Sequence, residues 1–349
     1  MHGRITWESP SNIALIKYWG KYGDQLPRNP SLSMTLRQSL TRTTINYQFN
    51  SQQKATKLKF LFEGIPNPDF EKRLLKYLVR LTGRFPVISS LELEIISANT
   101  FPHSSGIASS ASAFSALALG LLSVIDELSG EKRTPESFYR EASEMARLGS
   151  GSASRSIYGG YGVWGKTDHF YQYNNLAAIP VNTAIHPVFQ KMNDAILIVN
   201  DKTKKTGSSA GHALMETNPY ASARYHQAHQ HVIQLHDVLT LGNMDRFIEI
   251  VEQEALTLHA LMMSSQPGYM LMEGGTLSIV NLIRQFRNDT KIPLCFTLDA
   301  GPNVHLLYPD AYKTEIVDLI NRELLLFCTS NHFLDDGIGP GPAKVTNQE

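Results

Sequence analysis

The stretch NTFPHSSGIASSASAF, residues 99–114, decides how this chain is read. It leaves a strand in which Leu91, Leu93 and Ile95 alternate with Glu92 and Glu94, the two-residue period of a half-buried strand. It then passes Pro102 and Gly106 and enters an apolar run that reads as a helix to about Leu128. Strand, small-residue turn and helix N-terminus together aim backbone N–H groups and a positive helix end at a bound anion. Ser104, Ser105, Ser109 and Ser110 add hydroxyls for phosphate oxygens or a magnesium ion, and Gly106 permits close approach. The loop is neither GxxxxGK[ST] nor GxGxxG, which removes the Walker A and dinucleotide readings. A serine-rich turn of this kind also serves to cap a helix, and from the loop alone both readings stand.

The helix after the loop needs care, because Ile107 to Ile125 carries no charge over a length that could span a bilayer. Five serines, Ser109, Ser110, Ser112, Ser115 and Ser123, and the Pro/Gly entry favour a buried helix instead. Towards the N-terminus, Arg4–Trp7, Thr43–Phe49 and Lys57–Glu63 read as strands, and Asp69–Leu81 as a helix. Towards the C-terminus, a helix starts at Pro135 and stops near Gly149, and Tyr161–Trp164 with His169–Tyr173 reads as a hairpin. Ala195–Val199 is a buried-type strand, followed by helices Pro219–Leu241 and Met244–Met263 with Gly242 and Asn243 as the break. A helix Thr276–Asn288, strands Cys295–Leu298 and Val304–Tyr308, and a last helix from Asp310 to about Leu325 complete the order. Strands and helices mix without strict alternation, which argues for an α+β fold in two domains.

Composition agrees with that picture. The 349 residues are 42% hydrophobic and 18% charged, and Lys plus Arg equals Asp plus Glu at 32 each. A chain of this length and balance forms a globular core, in about two domains at ~150 residues each. Zero net charge gives no bulk electrostatic case for nucleic acid or an anionic membrane. Cys295 and Cys328 lack CxxC or Cys/His ligand spacing and read as reduced, cytoplasmic thiols. MHGRITWESP at the N-terminus has no apolar run behind its arginine, so no secretory signal is expected. His226, His229, His231, His236 and His259 lack the HExxH spacing and read as structural or surface histidines.

Four further segments carry chemistry. In NIALIKYWGK, residues 12–21, Lys17, Tyr18 and Lys21 fall close together beside Gly20, and a strand would point Lys17, Trp19 and Lys21 to one side. Two ammonium groups and a phenol there suit a diphosphate, although an exposed strand end with surface lysines reads the same way. GSGSASRSIY, residues 149–158, surrounds Arg155 with Ser150, Ser152 and small residues, as either an anion-binding turn or a plain loop. VNDKTKKTGSSAGH, residues 199–212, brings Lys202, Lys204, Lys205, Ser208 and Ser209 to a loop that reads as a lid over phosphates or as a solvated charge run. FTLDAGPNV, residues 296–304, ends an apolar strand on Asp299, an acid placed either to accept a hydroxyl proton or to cap the turn.

In their order along one chain these motifs resemble the GHMP small-molecule kinases and, within them, the diphosphomevalonate decarboxylase family. PHSSGIASSASAF matches the superfamily loop P-x-x-x-G-[LI]-x-S-S-[AG], while NIALIKYWGK, GSGSASRSIYGG, KKTGSSAGH and DAGPNV follow the family's order over nearly the whole length. The resemblance implies a two-domain GHMP kinase fold, with a ribosomal-protein-like domain over 1–188 and a ferredoxin-like domain over 189–349. It implies ATP-dependent decarboxylation of mevalonate 5-diphosphate to isopentenyl diphosphate, with magnesium accompanying ATP, in a cytoplasmic homodimer.

Carried over by motif position, Asp299, Lys17 and Arg155 are catalytic, and Tyr18, Lys21, Ser150 and Ser152 bind the substrate diphosphate. Ser104, Ser105, Gly106, Ser109, Ser110, Lys202 and Lys205 face ATP, with Ser109 and Ser110 nearest the metal. Two departures stand out: Ser154 replaces a cysteine, and Ala210, Gly211 and His212 follow the serine pair where the family continues to Gly-Met. The rival readings are a mevalonate 5-phosphate decarboxylase, a mevalonate 3-kinase, or a catalytically silent nucleotide-binding protein.

Overall fold

The computed structural model describes residues 1–102, 107–181, 183–202, 207–329 and 331–346. Two long strands organise the first half. β1 (His2–Ile16) and β4 (Ser31–Phe49) pair antiparallel along nearly their whole length, and between them β2 (Lys21–Tyr22) and β3 (Leu26–Pro27) form a small hairpin. Pro10 has no N–H for the ladder, and the β1–β4 register shifts just after it, between Pro10 and Asn12. Beyond β4 lie β7 (Leu91–Asn99), then the parallel β5 (Lys57–Phe62), then β6 (Ile65–Pro66).

One face of this sheet is covered by α1 (Pro68–Thr82), α2 (Ser109–Ser129) and α3 (Pro135–Gly149). Ile5, Trp7, Ile45 and Ile95 of the sheet pack there against Leu78, Phe114, Leu121 and Met145. α2 is long and apolar enough to cross a membrane, and 72% of its most apolar window is buried in this core.

Tyr161–Trp164 is a strand, β8, but not the first arm of a hairpin with His169–Tyr173. It pairs instead with the first residues of β4 and with β9 (Ala178–Pro180). Residues 169–173 are irregular, and Phe170 and Tyr173, three positions apart, both turn into one hydrophobic core, a spacing that the two-residue period of a strand does not allow. After α4 (Pro187–Gln190) comes β10 (Met192–Leu197), the centre of a second sheet with β11 (Cys295–Leu298), β12 (Val304–Pro309) and β13 (Phe333–Gly337) in the order β11-β12-β10-β13.

A short α5 (Ser208–Leu214) precedes α6 (Ala221–Leu241) and α7 (Met244–Met263). Left-handed Gly242 ends α6 as expected, and the Asn243 side chain caps α7 by accepting from the Arg246 N–H. α6 and α7 lie between the two sheets, so Ile13, Leu15 and Met34 share one core with Val232, Phe247, Val251 and Ile196. The opposite face of the second sheet packs on α8 (Gly274–Thr290) and α9 (Lys313–Leu319). The last helical run covers the expected span but changes to a π turn at Ile320–Leu324 and a 3-10 turn at Leu325–Phe327. Ile316, Ile320 and Leu324 of this run share the same core. The tail then returns to the first sheet, where β14 (Ala343–Lys344) pairs with β1.

Candidate active site

β1 ends at Ile16, and Lys17–Gly20 has no regular structure, so the side chains of the KYWGK segment are not set out as on a strand. Gly20 takes φ +97°, and a Cβ there would meet the Tyr225 hydroxyl at 2.5 Å, which makes glycine a requirement of this bend. The released segment borders a cleft of about 590 Å³ together with the N-terminus of α2, the Ser150–Arg155 segment, α5 and Asp299. GSGSASRSI is not an open loop: Gly151–Ile157 forms a 3-10 helix, buried except at Ser152.

Three of the expected residues meet on one wall of the cleft. The Lys17 Nζ lies 3.0 Å from Asp299 Oδ1 and also donates to the Ala14 carbonyl at 2.6 Å. Burial holds the Lys17 pKa below its ordinary value, with Arg155's positive charge adding to it, while Asp299 and Glu254 act against the shift.

 The Arg155 side chain is also buried. Its Nε donates to Ser33 Oγ at 3.0 Å and its Nη1 to Ser31 Oγ at 2.6 Å, so β4 fixes the guanidinium plane. Burial lowers the Arg155 pKa to about 10, with Asp299 and Tyr18 pulling the other way. A buried lysine, a buried arginine and one carboxylate leave this wall with an excess of positive charge facing the cleft.

The opposite end of the cleft is built for anions. Ser110 Oγ is 3.2 Å from Ser150 Oγ, which is 3.4 Å from Ser152 Oγ, so a line of hydroxyls joins the α2 N-terminus to the 3-10 helix. The loop end is anchored where Ser11 Oγ donates to the Ile107 carbonyl at 3.0 Å, and Ala108 at φ 31° turns the chain into α2. Lys21 reaches the same space, its pKa lowered by burial and by Arg73 and Arg80, a crowding of cations that a bound anion relieves. The Tyr18 hydroxyl is buried without a hydrogen-bond partner among the described residues, and burial raises its pKa.

Lys202 is exposed and does not line the cleft, its N–H being taken by Asn200 Oδ1 at 2.8 Å. Ser104, Ser105, Gly106 and Lys205 lie outside the described residues. Arg73, Asn12 and His212 are among the cleft residues to which the sequence assigns no role. Arg73 of α1 lies over the Phe114 ring at 4.8 Å, and Asn12 donates to Ser156 Oγ at 2.7 Å while its Oδ1 has no partner among the described residues. His212 of α5 accepts the Gly20 N–H on Nδ1 at 2.9 Å and packs between the rings of Tyr18 and Trp19. An arginine in an amphipathic helix and an asparagine in a strand carry no signal of a cleft, whereas His212 was visible as a departure from the motif.

The oxygen donors suit magnesium brought in with a nucleotide. Ser109, Ser110 and the Asp299 carboxylate face the cleft, and among the described residues no group of three or more His, Cys, Asp or Glu side chains could hold a metal. A magnesium ion with so few protein ligands takes the rest of its shell from phosphate oxygens and water, its usual habit in phosphoryl-transfer sites.

Residues 9–177 match the profile of the diphosphomevalonate decarboxylase-like N-terminal domain, and residues 195–336 that of the mevalonate 5-diphosphate decarboxylase C-terminal domain. A diphosphomevalonate decarboxylase of Ganoderma lucidum is 31% identical over 337 residues, a span that covers 91% of this chain and 81% of that protein. The crystal structure of mevalonate diphosphate decarboxylase from Staphylococcus aureus shares the fold with a TM-score of 0.84 at 28% identity, with 99% of each chain covered. A solved structure described as MDDEF in complex with MVAPP, AMPPCP and magnesium gives a TM-score of 0.82 at 26% identity, covering 99% of this chain and all of that one.

Proposed function

The chain belongs to the diphosphomevalonate decarboxylase family, and from that premise we propose how its cleft carries out the ATP-dependent decarboxylation of mevalonate 5-diphosphate. The products are isopentenyl diphosphate, ADP, phosphate and carbon dioxide. The observation that carries the assignment of roles is the Lys17–Asp299 pair, 3.0 Å apart, opening on the same cleft as Arg155.

The substrate diphosphate sits against Lys21, Tyr18, Ser150 and Ser152, with Arg73 beside them, and this end of the molecule fixes the other. Arg155, held by Ser31 and Ser33, binds the carboxylate as a rigid fork. Asp299 then faces the tertiary hydroxyl and accepts its proton as the oxygen attacks the γ-phosphorus of ATP, while Lys17 balances the charge of the carboxylate. The ATP phosphates lie along Ser109 and Ser110 at the α2 N-terminus, and magnesium, when bound with them, offsets their negative charge. We assign Ser104, Ser105, Gly106 and Lys205 to the same phosphates, whereas Lys202, exposed and outside the cleft lining, has no support for that role. Phosphorylation makes the hydroxyl a leaving group. As phosphate departs, the electrons of the bond to the carboxyl carbon form the double bond and carbon dioxide leaves. Arg155 keeps the carboxylate aligned, and Asp299 supplies negative charge near the carbon that becomes electron-poor.

We set the domain boundary near 188/189, a reading supported by the passage from β9 of the first sheet to β10 of the second, with β14 returning from the tail to the first sheet. A cytoplasmic homodimer completes the reading; free Cys295 and Cys328 support the compartment, and sedimentation tests the dimer.

The deciding assay follows ADP and carbon dioxide together with ATP, magnesium and mevalonate 5-diphosphate. Equal amounts are expected, and ADP without carbon dioxide would leave a kinase that stops at the phosphate ester. Asp299→Asn is expected to lose roughly 10²- to 10⁴-fold in kcat with ATP binding intact, and near-normal turnover would remove the role given to Asp299.

A further inference from the structure

Lys17 and Asp299 reach each other from different sheets, one just past β1 and one just past β11, and no ladder joins those two strands. Sheet hydrogen bonding therefore does not set their distance. Helix α7 packs on both strands and touches both residues through their backbones. Its Glu254 is fully buried and takes the Lys17 N–H on Oε2 at 2.8 Å. Arg224 of α6 closes the grip from the other side: Nη2 donates to the Lys17 carbonyl at 2.9 Å, and Nη1 and Nη2 donate to the Glu254 oxygens at 2.7 and 2.6 Å. His231 Nδ1 lies 2.6 Å from Glu254 Oε1.

Five residues further along α7, about 7.5 Å of helix rise, buried His259 places Nε2 at 3.1 Å from the Asp299 carbonyl. A carbonyl only accepts, so Nε2 carries the proton in this contact.

We propose that α7 sets the separation of the Lys17–Asp299 pair, with Glu254 and His259 as positioning residues that hold the two catalytic residues by their backbones. The inference rests on the roles given above to Lys17 and Asp299. A buried ion pair such as Glu254–Arg224 is poor value as packing, since apolar residues of the same volume hold a core at least as well. Its placement on both backbone groups of Lys17 gives it a use that apolar residues could not fill.

The charged and titratable groups around Lys17 are Asp299, Glu254 and Arg155, with Arg224 and His231 behind Glu254 and His259 behind Asp299. Asp299 and Glu254 oppose the lowering of the Lys17 pKa by burial, so weakening either moves the alkaline limb of the kcat profile to lower pH.

The test measures kcat, both KM values and the kcat–pH profile for Glu254→Gln, His259→Ala and His259→Gln, normalised to folded enzyme. The expected result is a kcat roughly 10- to 100-fold lower in Glu254→Gln and His259→Ala, with KM values within about twofold. The alkaline limb moves down in both, and His259→Gln, which keeps a donor, recovers most of the loss. Wild-type kcat and an unmoved limb in the folded variants would overturn the proposal, because a merely structural role changes stability alone. If Glu254→Gln does not fold, the His259 pair decides by the same criteria. Asp299→Asn in the same assay separates the failures: if it is inactive while the α7 variants are normal, only this inference falls, and if it is active, the site assignment falls.

Discussion

Tyr18 shows how a single residue carries information about an absent ligand. Its hydroxyl is buried, has no partner among the described residues, and lies in the part of the cleft lined by Lys21, Ser150 and Ser152. An unpaired buried hydroxyl costs stability, and a substrate oxygen relieves that cost. Tyr18→Phe should therefore raise KM for mevalonate 5-diphosphate about 10-fold, the worth of one hydrogen bond to a charged group, with little change in kcat and a higher melting temperature for the ligand-free protein. An unchanged KM in steady-state kinetics would mean the hydroxyl does not face the diphosphate. His212 makes a different prediction. It is buried and accepts the Gly20 N–H, and burial together with Lys21 lowers its pKa to about 3. The unfolded chain takes up a proton below the ordinary value of 6.5 that the folded chain refuses. Stability supplied by neutral His212 is whole above pH 6.5 and falls as pH drops towards 3, by up to ~1.4 kcal/mol per pH unit. Glu254, for which burial is outweighed by Arg224 and His231 so that its pKa drops to about 2, adds to the loss only below its ordinary 4.5. Urea unfolding of His212→Met between pH 6.5 and 4.5 should show a shallower slope than wild type, and equal slopes would refute the assignment.

Among the elements, those with a clear period were readable in the sequence. β7 alternates, α1 and α3 begin at prolines, and the α6–α7 break needs Gly242 for its left-handed turn. The supposed strand at 169–173 failed because aromatic residues favour strands and also fill cores, and Phe170 and Tyr173 do the latter. β9, β13 and β14 were missed because their pairing is decided by distant partners rather than by local pattern. The motifs of the site were readable as chemistry, but their meeting was not: nothing local says that Lys17 lies against Asp299, 282 positions away. Glu254 and Arg224 were passed over because charged residues on helices usually face water, and only tertiary packing buries this pair. α5 provides the test at this scale. A Cβ on Gly211 would collide with the Trp19 ring and the Tyr269 hydroxyl, so the helix can dock on the KYWGK segment only through a glycine. Gly211→Ala should cost about 1–3 kcal/mol, the usual range for overpacking, and lower kcat/KM by displacing His212 and Trp19 from the cleft wall. Thermal unfolding with wild-type stability would show that α5 has room to shift.

At the scale of the whole molecule the question is what keeps the two sheets in register, since the reacting groups come from both. The core around α6 and α7 supplies area but no direction, because apolar contact tolerates sliding more readily than hydrogen bonds do. Besides the hydrogen bonds of α6 and α7 to the backbones of Lys17 and Asp299, direction comes from Asp336 on β13. Its buried Oδ1 accepts the N–H groups of Arg37, Gln38 and Gly337 at 2.7, 2.9 and 2.8 Å, and Oδ2 accepts that of Ser39 at 2.8 Å. Three of these donors sit on β4 between its β8-paired and β7-paired stretches, where the strand would otherwise leave its N–H groups buried or half-buried without partners. Asp336→Asn keeps the shape but turns one acceptor into an N–H₂ that faces donors. The expected cost is about 2–4 kcal/mol, read as a lower urea midpoint. Because β4 also holds Arg155 through Ser31 and Ser33, while the second sheet carries Asp299, loosening this clamp should lower kcat/KM even where the variant is fully folded. A variant that loses stability yet keeps wild-type kcat/KM well below its unfolding transition would show that the shared core and the α7 contacts register the sheets without Asp336, and that the carboxylate serves β4 only locally.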